Sequence, residues 1–341
     1  MNPKVTLAVS VYNVEPYIER CVRSLFEQTF DDIEFLFIDD CTPDSSMEIM
    51  WRVLEDYPHR KTQVRTFRHE HNMGTAVTKR DCYLQATGEY VLVIDSDDYV
   101  EPDMVEKMYR KAQETKADMV VCEIYKETPG RTSVLSVAPN GVIGCGENVK
   151  DDIINRYVTP GLWCKLVKNT VFTEHKITWP TADYAEDYVI SAMFAYYAQR
   201  IAAVDEPFYH YCYNTDSISR KQSADRILKI YYDFLENFSI VLQFLEDKGI
   251  AEKYEHGIFR NKIRAKWHLL PLLPKREYRR LWVKTYPEVN RAFLFGDKNR
   301  KPSYRERFWL IAMSTGLYPR FKRVIYSKRL RPRPEWQPIY T

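Results

Sequence analysis

The sequence has neither of the two common glycine-rich phosphate loops and no paired cysteine motif. No G-x-G-x-x-G follows the first predicted strand and no G-x-x-x-x-G-K-[ST] occurs, which argues against dinucleotide-binding and P-loop sites. The seven cysteines are odd in number and never spaced C-x-x-C. A disulfide framework and a zinc knuckle are therefore disfavoured, and a reducing cytoplasm fits best.

Long apolar runs are also missing. The longest uncharged apolar stretch, residues 308–318, is shorter than the about 18 residues of a transmembrane helix. The first residues, "KVTLAVSVYN" from Lys4 on, indicate a strand and a turn, so no signal peptide is expected.

Charge is small overall but unevenly distributed. The net charge is +3, whereas the segment from Arg300 onward has eleven basic and two acidic residues, a net of +9. Aromatic residues lie between these charges, which is typical of a segment that meets anionic lipid headgroups. Docking of this tail onto the rest of the chain is the alternative. No nucleic-acid-binding module is recognisable, so no nucleic acid partner is expected.

Strands and helices alternate from residue 5 to about residue 126. Strands are predicted at 5–11, 33–38, 63–67, 90–94 and 119–125, with amphipathic helices between them. This order predicts an α/β fold with a mainly parallel sheet flanked by helices. The second helix is expected to begin with a capping box formed by Ser45 and Glu48.

The sequence pattern after residue 126 predicts a different organisation. A loop to about residue 147 precedes helices near 150–157 and 187–198 and a strand near 201–213, and from Ser223 the pattern is helical up to Gly249. We therefore divide the chain into 1–222 (halves 1–126 and 127–222), a helical region 223–299, and a basic aromatic tail 300–341.

Acidic residues follow the ends of the predicted strands. Strand two ends in Asp39 and Asp40, and "YVLVIDSDD" places Asp95, Asp97 and Asp98 after strand four. The carboxyl ends of parallel strands meet at one edge of a sheet, where ligands bind. A divalent cation such as Mg²⁺ or Mn²⁺ would relieve the repulsion between these carboxylates. A solvated acidic turn that caps the next helix is the alternative.

A turn containing Gly74 leads into a helix that carries Lys79 and Arg80. A helix N-terminus with a nearby cation suits an anionic ligand. The signal is weak by itself, because adjacent Lys and Arg on a helix usually form a solvated face.

These pieces together resemble glycosyltransferase family 2, a group of inverting, nucleotide-sugar-dependent enzymes with the GT-A fold. The matching segments occur in the family's order: "VSVYN", "QTFDDIEFLFIDDCTPDSS", "NMGTAVTKRDCYLQATGEYVLVIDSDD", "WCKLVKNTVFTEHKITWP" and "YAEDYVI". Two segments depart from the pattern. "CTP" after Asp40 replaces Gly-Ser-Thr, and "TKRDC" from Thr78 replaces A-R-N-x-G, so that either Lys79 or Arg80 could be the cation beside the phosphates.

The resemblance implies a donor site on the first half of the chain. Asp39 or Asp40 would bind the pyrimidine, Asp97 would ligate the metal, and Asp95 would contact the ribose or a metal-bound water, or the metal itself. Asp98 would cap the following turn. The other nucleotide-binding candidates are Val11, Tyr12, Asn13, Glu15, Gly74, Lys79 and Ser96.

The resemblance also implies an acceptor side. Asp187 would be the general base that accepts the proton of the acceptor hydroxyl, with Glu186 as the fallback. The alternative is that both acids only cap the N-terminus of the helix predicted near 187–198. Trp163 and Lys165, with Glu186, would line the donor sugar and acceptor, although a core tryptophan is nearly as plausible. His210 and Arg220 are candidates for reaching the metal or diphosphate.

The implied reaction is transfer of a sugar from a uridine diphosphate sugar to an acceptor hydroxyl with Mn²⁺ or Mg²⁺. The implied setting is surface polysaccharide synthesis on a saccharide or lipid-linked acceptor, in the cytoplasm or at the inner membrane face. A sugar nucleotidyltransferase would need a glycine-rich loop after strand one, which "VSVYNVEPYIE" lacks. A non-catalytic sugar-nucleotide-binding subunit is the other alternative.

Overall fold

The structure is a computed structural model that describes residues 2–135, 147–156, 161–214 and 223–296, with residues 307, 311, 314 and 315. The chain divides into two compact units, Met1–Thr215 and Asp216–Thr341. Nearly all of the predicted basic tail, and Arg220, lie outside the described residues. No helix within the described ranges is both long and apolar enough to cross a membrane.

The first unit is built on one sheet of nine strands. Its order is β3-β2-β1-β4-β8-β6-β9-β5, and β7 pairs with β6 outside this path. The strands are β1 (Val5–Val11), β2 (Ile33–Asp39), β3 (Val64–Arg68), β4 (Tyr90–Asp95), β5 (Tyr99–Val100), β6 (Met119–Thr128), β7 (Arg131–Leu135), β8 (Lys165–Lys168) and β9 (Ile201–Tyr211).

The parallel part of the sheet lies where the sequence predicts it. Strands β3, β2, β1 and β4 run parallel, and β6 pairs parallel with β9. Strand β8 is antiparallel to both β4 and β6, and the pairs β5–β9 and β6–β7 are antiparallel too. The α/β prediction is confirmed, and the antiparallel strands are what close the sheet around the end of β4.

Seven helices of the first unit are described. Their bounds are α1 (Ile18–Phe26), α2 (Ser46–Leu54), α3 (Thr75–Leu84), α4 (Met104–Thr115), α5 (Glu147–Ile154), α6 (Thr170–Thr173) and α7 (Glu186–Tyr197). The 3.6-residue periodicity places one face of α1 in the core, with these residues buried: Ile18, Cys21, Val22, Leu25 and Phe26. Phe26 from this face packs edge-on against Phe35 of β2, with ring centroids 5.1 Å apart.

The predicted capping box of α2 is wrong. Ser45 is the N-cap residue, but its side chain makes no capping hydrogen bond. Asp44, one residue earlier, takes this role because its Oδ1 accepts hydrogen bonds from the Ser46 backbone N–H and from Ser46 Oγ–H. A carboxylate at the start of a helix is also favoured by the helix dipole.

The described residues 223–296 of the second unit are mainly helical, as the sequence predicts. Its helices are α8 (Ala224–Asp247), α9 (Glu255–His268), α10 (Arg276–Lys284) and α11 (Pro287–Phe295). Ser223 caps α8 by accepting a hydrogen bond from the Arg226 backbone N–H, and Gly249 follows the end of that helix with φ +68°. Buried Lys266 donates to the carbonyls of Trp282 and Thr285, and its burial lowers the pKa of Lys266 to about 7.

Candidate active site

Asp40, at the end of β2, is a structural anchor for the turn before α3. Its Oδ1 lies 2.7 Å from Nδ1 of His69 and accepts a 2.7 Å hydrogen bond from the backbone N–H of Met73. Its Oδ2 accepts a 3.0 Å hydrogen bond from the backbone N–H of Gly74. The other ring nitrogen of His69 lies 3.0 Å from Asp81 within α3. Both carboxylate oxygens of Asp40 are therefore occupied by the protein.

Asp39 is arranged differently, although it is equally buried. Its Oδ1 accepts a hydrogen bond from the Thr42 backbone N–H, and its Oδ2 lies 3.3 Å from Nε of Arg68, a side chain that is 67% exposed. The exposed arginine is free to move without disturbing the core. Of the two predicted pyrimidine-binding carboxylates, Asp39 is therefore the one that a ligand can bind with less disruption of existing hydrogen bonds.

The turn after β1 is tied to the start of α2. The backbone N–H of Asn13 donates to Thr42 Oγ1, and the backbone N–H of Glu15 donates to Asp44. Val11 is fully buried in the sheet, whereas Tyr12 is 44% exposed. Of the predicted nucleotide-binding residues in this turn, Tyr12 is thus the one that presents a large aromatic surface to a ligand.

Two residues of this corner have left-handed backbone conformations. Asn13 has φ +53° and Cys41 has φ +56°. Asparagine tolerates this region, whereas cysteine does so at a cost that glycine does not have. Cys41 stands where the family resemblance has glycine, so this chain keeps the shape of the turn without the residue that best suits it.

The acidic turn after β4 is bound to the closing strand β9. Asp98 is buried and accepts hydrogen bonds from the Tyr209 hydroxyl at 2.6 Å and from the Cys212 backbone N–H at 2.7 Å. Burial raises the pKa of Asp98 well above its usual range, with Asp97 and Asp95 adding to the shift. The expectation that Asp98 caps the following turn is wrong, since its carboxylate bonds to a distant strand.

Asp95 and Asp97 differ in their surroundings. Asp97 is half-buried, and its Oδ2 accepts a 3.0 Å hydrogen bond from the side-chain amide of Asn214. Asp95 lies 3.4 Å from the ammonium of Lys79. Burial raises the pKa of Asp95 to about 6, although Lys79 opposes the shift. Ser96, between the two acids, is buried.

Lys79, on α3, contacts acids from both sides of the predicted site, the donor side and the acceptor side. Its ammonium lies 2.8 Å from Asp187, 3.0 Å from Glu186 and 3.4 Å from Asp95. Burial and this shared cation act in opposite directions on Glu186, whose pKa is raised to about 8 mainly because it is buried. One ammonium among three carboxylates leaves two charges unbalanced, so the group retains a proton near neutral pH.

Lys79 therefore faces carboxylates in this structure, while Arg80 has a different partner. Arg80 forms a bidentate contact with Asp81, which in turn contacts His69. The role of Lys79 beside a phosphate stays a prediction, and such a contact would require the ammonium to share or leave its present partners.

The acid pair lies at the N-terminus of α7. Glu186 is buried and Asp187 is half-buried, with 18% of its side chain exposed. The preceding residue, Ala185, has φ +68°, an unusual conformation for alanine. Residues 188–195 of α7 are buried and fix the helix, so the partly exposed Asp187 is held on a rigid element.

Trp163 and Lys165 are close in the chain and are both buried. The indole of Trp163 stacks on Tyr209 with centroids 4.5 Å apart, which places it beside the strand that holds Asp98. Lys165 is fully buried, and its ammonium donates to the Gly161 carbonyl. Lys165 thus stabilises the turn under Trp163, and its predicted contact with donor or acceptor remains untested.

His210 belongs to the framework of the site. Its ring nitrogens lie 2.8 Å from Glu101 and 2.9 Å from Glu127, and the ring is stacked between Tyr99 and Tyr125. With both nitrogens occupied by carboxylates, this side chain fastens β9 to its neighbours.

Several residues of the site carry no recognisable signal in the sequence. Asn214 and Tyr209 contact the acidic turn from more than a hundred residues away, and Arg20 donates to the Asp97 carbonyl. Asp183 contacts the start of α3. Each is an ordinary polar residue in its local sequence, and only the fold brings it to the site.

The donor set at Asp97 suits a divalent cation that is shared with a ligand. In the part of the chain that the structure describes, Oδ1 of Asp97 has no hydrogen-bond partner. No group of three His, Cys, Asp or Glu side chains within the described ranges is placed to hold a metal ion by itself. Mg²⁺ commonly takes one or two carboxylates and completes its shell with phosphate and water. The half-buried carboxylate of Asp97, close in the chain to Asp95, fits that arrangement.

Comparison with known proteins decides the family. The sequence profile of glycosyl transferase family 2 matches residues 6–142. The uncharacterized glycosyltransferase EpsJ of Bacillus subtilis (strain 168) is 30% identical over 241 residues, which cover 68% of this chain and 68% of that protein. The chain belongs to glycosyl transferase family 2. This membership agrees with the acidic strand ends and the acid pair described above.

Solved structures of glycosyltransferases share the fold of this family 2 member. TarS of S. aureus, residues 1–349 with UDP-GlcNAc, aligns with a TM-score of 0.58 at 20% identity over 87% of this chain and 93% of TarS. The mannosyltransferase PcManGT of Pyrobaculum calidifontis, in complex with GDP-Man and Mn²⁺, aligns with a TM-score of 0.54 at 16% identity over 96% of this chain and 89% of PcManGT. The predicted GT-A fold is confirmed.

Proposed function

We propose that this glycosyltransferase moves a sugar from a uridine diphosphate sugar to an acceptor hydroxyl with inversion at the anomeric carbon. The observation that carries the proposal is the meeting of Asp95, Glu186 and Asp187 around Lys79. This contact places the acids predicted for the donor side beside the acids predicted for the acceptor side. A single-displacement reaction needs both within reach of one sugar.

In the proposed reaction, the acceptor oxygen forms a bond with the anomeric carbon while the bond from that carbon to the diphosphate oxygen breaks. Asp187 accepts the proton of the acceptor hydroxyl, because its carboxylate is partly exposed and held on a rigid helix. Glu186 is the weaker candidate for the base. It is buried, and its raised pKa favours the protonated form at neutral pH.

On the donor side, the proposed nucleotide contacts are Tyr12 for the base and Asp39 for the pyrimidine edge. Asp97 and Asp95 would hold Mn²⁺ or Mg²⁺. A bound divalent ion neutralises charge that develops on a leaving diphosphate. The uridine nucleotide is favoured by TarS, which was crystallised with UDP-GlcNAc, and the cation by PcManGT, which was crystallised with Mn²⁺.

Replacement of Asp97 by alanine tests this donor site. We expect the affinity for uridine diphosphate in the presence of Mn²⁺ to fall by at least about 100-fold, since a direct metal ligand is lost. Titration calorimetry with and without chelator measures the effect. Asp205→Ala, which removes an exposed acid of β9, is the control and should bind like the wild type. Affinity that is insensitive to both chelator and Asp97→Ala would contradict the proposed metal site.

We further propose a setting in surface polysaccharide synthesis at the cytoplasmic face of the membrane, on a saccharide or lipid-linked saccharide acceptor. The basic tail 300–341, with a net charge of +9, is the proposed membrane contact. A truncation before Arg300 should lose sedimentation with anionic vesicles and keep release of uridine diphosphate from the donor. Binding that survives truncation, or that ignores salt, would contradict this assignment. Loss of solubility would instead favour docking of the tail onto the protein.

The competing functions predict different outcomes. A non-catalytic binding subunit would bind uridine diphosphate with metal but transfer no sugar to any acceptor. A nucleotidyltransferase would form sugar nucleotide from a sugar phosphate and a nucleoside triphosphate. The acid pair at the start of α7 favours transfer, because neither alternative needs a base there.

A further inference from the structure

Helix α3 contacts the segment that leads into the acid pair at two points. The first contact is at its N-terminus, where Oδ1 of Asp183 lies 3.4 Å from the backbone nitrogen of Ala76 and accepts its hydrogen. A carboxylate is favoured there by the helix dipole and by the otherwise unpaired N–H groups of the first turn. The second contact is Lys79, one turn further along, which binds Glu186 and Asp187.

The first contact depends on a glycine. A Cβ atom built on Gly74 would lie 2.6 Å from Oδ1 of Asp183, closer than any real contact allows. Gly74 also has φ +87°, a conformation that side chains disfavour. A side chain at position 74 would therefore displace the Asp183 carboxylate from its present position.

The segment between these contacts is strained. Ala185 has φ +68°, and a left-handed alanine persists only where its surroundings fix it. Asp183 on one side and the pairing of Lys79 with the acids on the other are contacts that fix it. The same turn before α3 is also held by Asp40, which accepts hydrogen bonds from the backbone N–H groups of Met73 and Gly74.

We propose that Asp183 is a positioning residue, which holds the acid pair against α3 and thereby sets the place of Asp187 relative to the donor. The inference rests on the proposed function, in which Asp187 is the base. It adds that the start of α3 anchors both the donor side and the acceptor side of the proposed site. Asp40 fixes the start of α3 to the sheet, and Asp183 fixes the acid-bearing segment to the same start.

The test compares Asp183→Ala with Asp183→Asn. Alanine removes the acceptor at the helix N-terminus, whereas the asparagine carbonyl can still accept the Ala76 N–H. A displacement of about 1 Å in a reacting group costs about 100-fold in rate. We therefore expect Asp183→Ala to lower kcat for transfer by about 10- to 100-fold with donor KM nearly unchanged. Asp183→Asn should stay within a few-fold of the wild type, and Asp205→Ala is the surface control.

Hydrogen–deuterium exchange provides a readout that does not depend on turnover. In Asp183→Ala the amides of residues 182–187 should exchange faster, while those of β1 and β2 keep their protection. If alanine prevents folding, Asp183→Ser supplies the truncated side chain for the same comparison. Unchanged exchange, or faster exchange with an unchanged kcat, would overturn the inference.

The outcomes separate this inference from the proposed function. A fall in both kcat and melting temperature that Asp183→Asn does not rescue would show that Asp183 only stabilises the fold, which overturns the positioning role. If Asp187→Asn abolishes transfer and Asp183→Ala does not affect it, the inference fails and the proposed function stands. If Asp187→Asn transfers normally, the proposed base is wrong, and with it the positioning role that depends on this base.

Discussion

Asp187→Asn is expected to lower the rate of sugar transfer by about 100- to 10,000-fold, the range that general-base assistance supplies. Asparagine keeps the size of the side chain but cannot accept the proton of the acceptor hydroxyl. Donor affinity should change little, since the proposed base faces the acceptor and not the diphosphate. Transfer under single-turnover conditions, together with calorimetric affinity for the donor nucleotide, measures both quantities.

Glu186→Gln is the matched comparison for this variant. Both acids bind the ammonium of Lys79, so each substitution removes one carboxylate from the same cation. A defect that comes only from the loss of that ion pair should appear in both variants, whereas loss of the base should appear in one. Near wild-type transfer by Asp187→Asn, with collapse in Glu186→Gln, would move the base to Glu186.

Lys79→Met is expected to lower the stability of the first unit by about 3–5 kcal/mol, as breaking a buried ion pair typically does. The ammonium is the shared partner of Asp95, Glu186 and Asp187, and its loss leaves three partly or fully buried carboxylates without it. For a unit of this size the melting temperature should fall by about 10 °C. Lys79→Arg, which keeps the charge and has the residue type of the family pattern, should be close to the wild type.

The loss of stability in Lys79→Met should depend on pH in a defined direction. Lys79 lowers the pKa of both Asp95 and Glu186 against the effect of burial, so its removal raises both values further. The stability deficit of Lys79→Met is therefore fully present at high pH. It should shrink as the pH falls towards about 8 and then towards about 6, because below these values Glu186 and Asp95 hold their protons even with Lys79 present. A deficit that grows on acidification, or no deficit at pH 8, would contradict this account of the cluster.

The sequence was informative where local pattern and burial agree. The apolar face of α1 is a periodic signal and the apolar run of β4 is a continuous one, and both elements form as predicted. The acidic residues after β2 and β4 were recognisable because polar strand ends in a parallel sheet are unusual. These signals depend on residues that are close together in the chain.

The details that depend on distant residues could not be predicted. Nothing local separates Asp39 from Asp40, and only the position of His69 and the turn at Gly74 shows that Asp40 is fully occupied. The capping box at Ser45 failed because the Ser45 backbone N–H, which Glu48 would accept in such a box, donates to Glu15 Oε2 instead. The contact of Asp183 with α3 joins residues 107 positions apart.

The hydrogen bonds that β9 and the residues directly after it give to the acidic turn also bear on the order in which the protein folds. The donors to Asp98 lie 111 and 114 residues further along the chain, and the donor to Asp97 lies 117 residues further along. Contacts of such long separation form late, because closing a long loop costs entropy before the contact repays it. During synthesis the strands β1, β2 and β4 can therefore associate while Asp98 still lacks its partners. The proposed donor site becomes complete only when the segment up to Asn214 has been added.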